Sequence, residues 1–375
     1  MTTTRTIALA LLWGGLNALA VAAPTLPADD DTVVARLPAR VASPSDRRTD
    51  FADPGRALRI ARGYLEAARA QGDARFAGLA MGALQAWRQP QRDPLGVVVM
   101  QATVAQHMHD FERAADLLQV AVARDPGDAQ AWLTLATVRR VQGRLDASDT
   151  ACARLAAAGQ PAYGTACLAD NRALRGDTGA ARAAFQRLLA GSHDAALSAW
   201  LRVGLAQACE LAGETSAAEA HYRHALALAP TPFARLALAD LLLDARRPVE
   251  AESVLRGMPA NDAVLLRRAI AARALGGDDA AELARQIGER FDAAAARGDG
   301  GSHLREQARH ALELRGDADA ARRLARRNFE RQREPADWLI LARANAALGD
   351  HDGQRRLVAT MTDMGVRDVR VDALY

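Results

Sequence analysis

The sequence predicts an all-α protein, a right-handed superhelix (solenoid) of about nine helical hairpins, on three observations. Turn-like residues recur every 30 to 40 residues along the chain. Small side chains stand at fixed distances on both sides of those turns. Half of the 375 residues are hydrophobic while only 4% are aromatic, a composition suited to helices that cross closely.

The turns come first, because they set the register of everything else. They fall at Gly72, His109, Gly143, Gly176, Gly213, Arg246, Gly276, Gly316 and Gly349. Glycine there supplies the left-handed backbone that ends a helix. Seven residues before each turn stand Leu65, Ala102, Ala136, Ala169, Ala206, Ala239, Ala269, Arg309 and Ala342. Five residues after it stand Ala77, Ala114, Ser148, Ala181, Ala218, Ala251, Ala281, Ala321 and Gln354. Two helices joined by a short turn approach closely only where their side chains are small, which accounts for alanine in both columns. Larger residues nine places past the turn, among them Leu118, Phe185, Tyr222 and Leu255, fill the space toward the next hairpin. Prolines such as Pro161 and Pro335 open the following helix without losing a needed N–H. No hairpin buries its apolar face alone, so neighbours must stack.

These residues resemble the tetratricopeptide repeat family. Trp132, Leu135, Ala136 and Gly143 carry the likeness in one unit, Leu205, Ala206, Gly213, Ala218, Tyr222, Ala225 and Pro230 in another, and Trp338, Leu341, Ala342 and Gly349 in the last. The resemblance implies a non-enzymatic scaffold that binds a protein or peptide partner along a concave surface lined by the first helix of each hairpin. On that alignment Tyr163, Trp200 and Phe233 share one inner position, and Asp170, Gln207 and Asp240 lie about two turns further along, with Glu210 and Asp244 nearby. An aromatic stripe beside an acidic one suits an extended peptide with apolar and basic residues. It also suits a glycan stacked on the rings, the alternative partner, while packing on the preceding hairpin explains each ring taken singly.

The ends and divisions of the chain follow. Arg5, the apolar run Ile7 to Ala20 and the small residues before Ala23 read as a signal peptide, 1–22, cleaved after Ala22. Residues 23–54 are Pro-rich and expected to be mostly disordered. Hairpins 1–7 occupy 55–291, a Gly-rich break 292–302, hairpins 8 and 9 303–366 and a C-terminal tail 367–375. The expected location is the periplasm, and no segment is long enough to span a membrane.

Chemistry is sparse. The chain has no lysine, which excludes a phosphate-loop lysine and Schiff-base catalysis. The formal charge of +3 argues against a nucleic-acid partner. His107 with His109 and His221 with His224 lack further ligands, so no metal, cofactor or catalytic residue is expected. Arg322, Arg323, Arg326, Arg327, Arg331 and Arg333 form a basic run expected to pair with Glu330 and Glu334 on a solvated face. Cys152 and Cys167 stand level across the turn near Gly159, as a candidate disulfide or as two buried thiols, and Cys209 is left over.

Overall fold

A computed structural model describes residues 53–71, 74–296, 301 and 303–374. All the described residues belong to one compact unit. The signal peptide, nearly all of the linker, Gly72 and most of the Gly298 to Ser302 run lie outside them.

Among the described residues the structure is helical, without strands. The hairpins pair α1 (Pro54–Gln71) with α2 (Ala74–Ala83), α3 (Leu95–His107) with α4 (Phe111–Arg124), α5 (Ala129–Val141) with α6 (Leu145–Ala157), and α7 (Pro161–Leu174) with α8 (Thr178–Ala190). They continue with α9 (Ala195–Leu211) and α10 (Thr215–Leu228), α11 (Pro232–Asp244) and α12 (Pro248–Leu255), and α13 (Asp262–Leu275) and α14 (Ala280–Ala296). In the eighth, α15 (Leu304–Arg309) runs on through a π-helical turn, His310–Leu314, to meet α16 (Ala318–Phe329). The ninth pairs α17 (Pro335–Leu348) with α18 (His351–Asp363), and a short α19 (Val369–Asp372) follows.

Every described turn position has positive φ, including the two without glycine, His109 at 61° and Arg246 at 59°. Aspartate follows several of these turns and caps the next helix: Asp177, Asp317 and Asp350 each accept the backbone N–H three residues on. The alanines of both columns are buried except Ala281, and Arg309 is the other departure from the pattern; each has a geometric cause. Past Gly276 the turn runs two residues longer than in the other hairpins, so Ala281 is exposed and Ile287 and Phe291 carry the packing. In hairpin 8, fully buried Ala308 takes the crossing expected at Arg309, and the π-turn adds the residue that restores register.

Long-range packing departs most from an open coil. One core cluster joins Leu174, Leu205 and Leu211 of hairpins 4 and 5 to Trp338, Leu341, Leu357 and Val371 of the C-terminal region. Two backbone bonds stitch the same seam: Arg333 donates to the Val141 carbonyl and Arg367 to the Leu174 carbonyl, each at 2.8 Å. At the turns, the missing side chain of Gly143 leaves room for Met364 and Arg333, and that of Gly213 for Val369. Hairpin 9 and α19 therefore seat on the inner, turn-side half of hairpins 3–5. The expected tail is thus part of the core, and the expected break begins inside α14, with Phe291 of that helix packed on His303 and His310 of hairpin 8.

Candidate functional site

Seating the C-terminal hairpins against the inner helices divides the predicted stripes into two regions. The carboxylates of the acidic stripe are satisfied by arginines of this chain, Glu210, Asp240 and Asp244 toward the C-terminal hairpins, while Asp170 and Gln207 also line the open groove. Asp240 is held by Arg267 (2.5 Å) and Arg309 (2.7 Å), Asp244 by Arg343 (2.7 Å), and Glu210 by Arg370 (2.8 Å) and the Tyr222 hydroxyl (2.5 Å). Asp170 is bound by Arg140 at 3.0 Å. The reading of this stripe as an open surface for basic side chains is corrected accordingly: its carboxylates already have guanidinium partners.

The electrostatics follow from burial. Burial pushes the Asp170 and Glu210 carboxyls above their ordinary range against the pull of Arg140 and Arg370. Burial acts the same way on Asp240, but two guanidiniums outweigh it and hold that carboxyl low. Tyr222 is pushed well up by burial and by Glu210, so its hydroxyl stays a donor. Arg305 spans Glu334 (3.0 Å) and Asp337 (2.6 Å), while Arg370 also binds Asp368 (2.8 Å) and Arg309 binds Glu313 (2.8 Å).

The aromatic stripe stays open. Tyr163 and Trp200 face each other with ring centroids 5.2 Å apart and planes tilted by 42°. Trp200 is 38% exposed and Phe233 57%. All three rings line a groove of about 570 Å³ along the inner helices of hairpins 3–6. The placement follows from register, since the rings stand near the helix starts while hairpin 9 covers the helix ends. Leu133, Ala136 and Val203 extend the apolar lining, and Glu334 of the C-terminal region closes one side. Gln207 is exposed in the groove, and among the described residues its amide has no hydrogen-bond partner. Trp200 packs on Tyr163 of the preceding hairpin with part of its ring left exposed, Phe233 is the more exposed of the three, and Tyr163 is half-buried.

Cys152 and Cys167 are joined as a disulfide with Cα atoms 5.7 Å apart, and Cys167 lies in the groove lining beside Tyr163. Cys209 is buried. Burial lowers the His107, His109 and His221 pKa values, His109 to about 4, and among the described residues no cluster of His, Cys, Asp or Glu forms a metal site. The basic run does not pair as expected. Arg322 bonds Asp350, Arg333 docks on hairpin 3, and Glu334 belongs to Arg305. Among the described residues no helix is long and apolar enough to cross a membrane.

Sequence reasoning missed Arg305, Glu306, Arg309, Arg343 and Arg370. One signal was available: Arg309 stands in a column otherwise apolar, Leu65 and seven alanines, a misfit that the charge partner Asp240 explains.

No family model matches the chain, and no curated protein does. Solved structures similar to it include the type IV pilus biogenesis factor PilW, 20% identical, with a TM-score of 0.42 over 53% of this chain and 94% of that one. A thermophilic TPR protein from Thermus thermophilus is 20% identical with a TM-score of 0.38 over 52% and 98%. A tetratricopeptide repeat protein from Parabacteroides merdae is 14% identical with a TM-score of 0.39 over 67% and 98%. The architecture is established by the chain's own geometry rather than by these likenesses: repeated antiparallel helical hairpins, left-handed turns and alanine crossings make it a tetratricopeptide-like array.

Proposed function

We propose that this chain is an exported, non-enzymatic scaffold that holds an extended peptide with apolar side chains in the groove lined by Tyr163, Trp200 and Phe233. The carrying observation is that two large aromatic faces remain exposed inside a 570 Å³ concavity, while the neighbouring carboxylates are matched by the chain itself. Aromatic side chains left in water within a concave surface mark binding sites more often than scattered exposure does. Export is supported by the pattern of residues 5–22 and by the disulfide, which persists in oxidising compartments. A glycan is the less favoured occupant. Sugars need several unpaired polar groups beside the rings; the Gln207 amide is one, but Asp170 is committed to Arg140, Glu334 to Arg305 and the Thr137 hydroxyl to the Leu133 carbonyl.

The test is a selection of random peptides and a panel of glycans against the full chain, repeated with Trp200→Ala/Phe233→Ala. The helical circular dichroism of the variant is recorded first, because Trp200 also packs on Tyr163 and loss of fold would assign the rings to packing. Selected apolar peptides should bind the variant at least about tenfold more weakly, as expected for loss of aromatic anchors. Unchanged affinity, or capture of glycans alone, overturns the peptide reading.

A further inference from the structure

A cleft of about 280 Å³ runs between α16 and α18, with α17 contributing its floor, and shares no residue with the aromatic groove. Its apolar wall is made by the buried side chains of Phe329, Leu341 and Leu357. Arg326, Arg333 and Arg356 stand around that wall, together with Glu330 and Asp350.

These charges do not cancel. Asp350 is spent within the fold: one carboxylate oxygen is bound by Arg322 at 2.6 Å, and the other accepts the Gly353 N–H at 2.8 Å. Arg326 and Arg356 are exposed and, among the described residues, bond no carboxylate, although Arg356 lies near enough to Asp350 to help hold its carboxyl low. Arg333 donates from Nε to the Phe329 carbonyl at 3.3 Å, and its two terminal nitrogens have no partner among the described residues. With Arg322 counted beside its partner, four guanidiniums meet two carboxylates, and Glu330 is the one carboxylate of the lining not already bound. A neutral donor completes the set. Asn345 on α17 is 2% exposed and lines the cleft, yet its side-chain amide has no hydrogen-bond partner among the described residues. Buried amides are almost always bonded, so this one is left for a group that enters.

We propose that the cleft binds a phosphomonoester, with its phosphoryl oxygens on Arg326, Arg356, Arg333 and the Asn345 amide. A carboxylate offers two oxygens, which a single bidentate arginine satisfies. A phosphoryl group offers three acceptor oxygens and up to two charges, which matches donors converging from three helices. The space exceeds what the phosphoryl group alone fills, and Phe329 and Leu357 give an apolar surface to the body that carries it. A soluble phosphoester and a lipid headgroup share this chemistry. The site is separate from the groove and does not rest on the peptide reading.

The experiment titrates the full chain with phenyl phosphate and with benzoate by calorimetry, and floats it with phosphatidylcholine vesicles that contain or lack phosphatidic acid. Phenyl phosphate should bind roughly tenfold more tightly than benzoate, the worth of one additional charge-assisted contact. Arg326→Gln/Arg356→Gln, at two exposed side chains without bonded partners, should weaken phenyl phosphate at least about tenfold while the helical circular dichroism stays unchanged. Glu330→Gln removes the opposing charge and should tighten it about two- to threefold. Capture by phosphatidic acid vesicles that the double variant loses assigns the phosphate to a lipid headgroup, and phenyl phosphate binding without vesicle capture assigns it to a soluble phosphoester. Absence of both, benzoate binding equal to phenyl phosphate, or an affinity that neither variant moves overturns the site while the groove reading stands.

Discussion

Replacing Trp338 by Ala tests whether hairpin 9 is built into the array or merely appended to it. Trp338 is fully buried in the cluster that joins hairpins 4 and 5 to the C-terminal region, and its indole N–H donates to Asp368 at 2.8 Å. Emptying a site of that size costs about 3–5 kcal/mol. Asp368 is itself fully buried, and losing one donor adds about 1 kcal/mol, less than a full orphaning because Arg370 still binds both of its oxygens. The sum, about 4–6 kcal/mol, rivals the whole stability of many domains. In a helical array such a loss stays near the damaged unit. Urea unfolding followed by circular dichroism should therefore split into two transitions, and hydrogen exchange should speed up selectively across residues 335–372. A single transition weakened by less than about 1 kcal/mol, or exchange that rises equally in all hairpins, refutes the docking argument.

Two other perturbations probe the turns. Arg246 holds φ at 59° with an exposed side chain, so Arg246→Gly should raise stability by about 0.5–1 kcal/mol, the left-handed penalty less the added freedom of the unfolded chain; a loss in thermal or urea melts contradicts this. His109 has its pKa lowered to about 4, chiefly by burial, with Glu306 raising it and Arg305, His303 and His107 lowering it further. Because the folded value lies below the unfolded one near 6.5, the unfolded state binds more protons in between, so stability is full above about pH 6.5 and falls by up to about 3 kcal/mol as pH drops toward 4. His109→Asn keeps a residue that tolerates the left-handed turn and should flatten that slope in melts at pH 7 and 4.5; an unchanged slope assigns the proton to another group.

Local structure was legible because it repeats. Gly143, Gly176 and Gly213, with the alanines at their flanks, state the same steric requirement in successive units, and each unit checks the others. Where one insertion breaks the count, as after Gly276, the reading slips by two residues and places Ala281 wrongly at a crossing. Long-range closure repeats nowhere. Arg343 meets Asp244 across 99 residues and Arg370 meets Glu210 across 160, and no spacing rule connects such pairs. Only Arg309 gave notice, as a charge in a column reserved for small apolar side chains.

The same contrast explains why the two predicted stripes met different fates. Both lie on the inner faces of α7, α9 and α11, about two helical turns apart. Rings near the helix starts stay clear of the seam, while Glu210, Asp240 and Asp244 toward the helix ends meet arginines from later in the chain and Asp170 meets Arg140 of hairpin 3. An exposed row of acids on closely stacked helices repels itself, and arginines from a later part of the same chain relieve that repulsion at no translational cost, since they are tethered. Exposed rings in a concavity gain less from such internal pairing, because covering them would require apolar area that hairpin 9 already spends on Leu174, Leu205 and Leu211. Register alone thus decides which half of the concave face is consumed by the fold and which half remains for a partner.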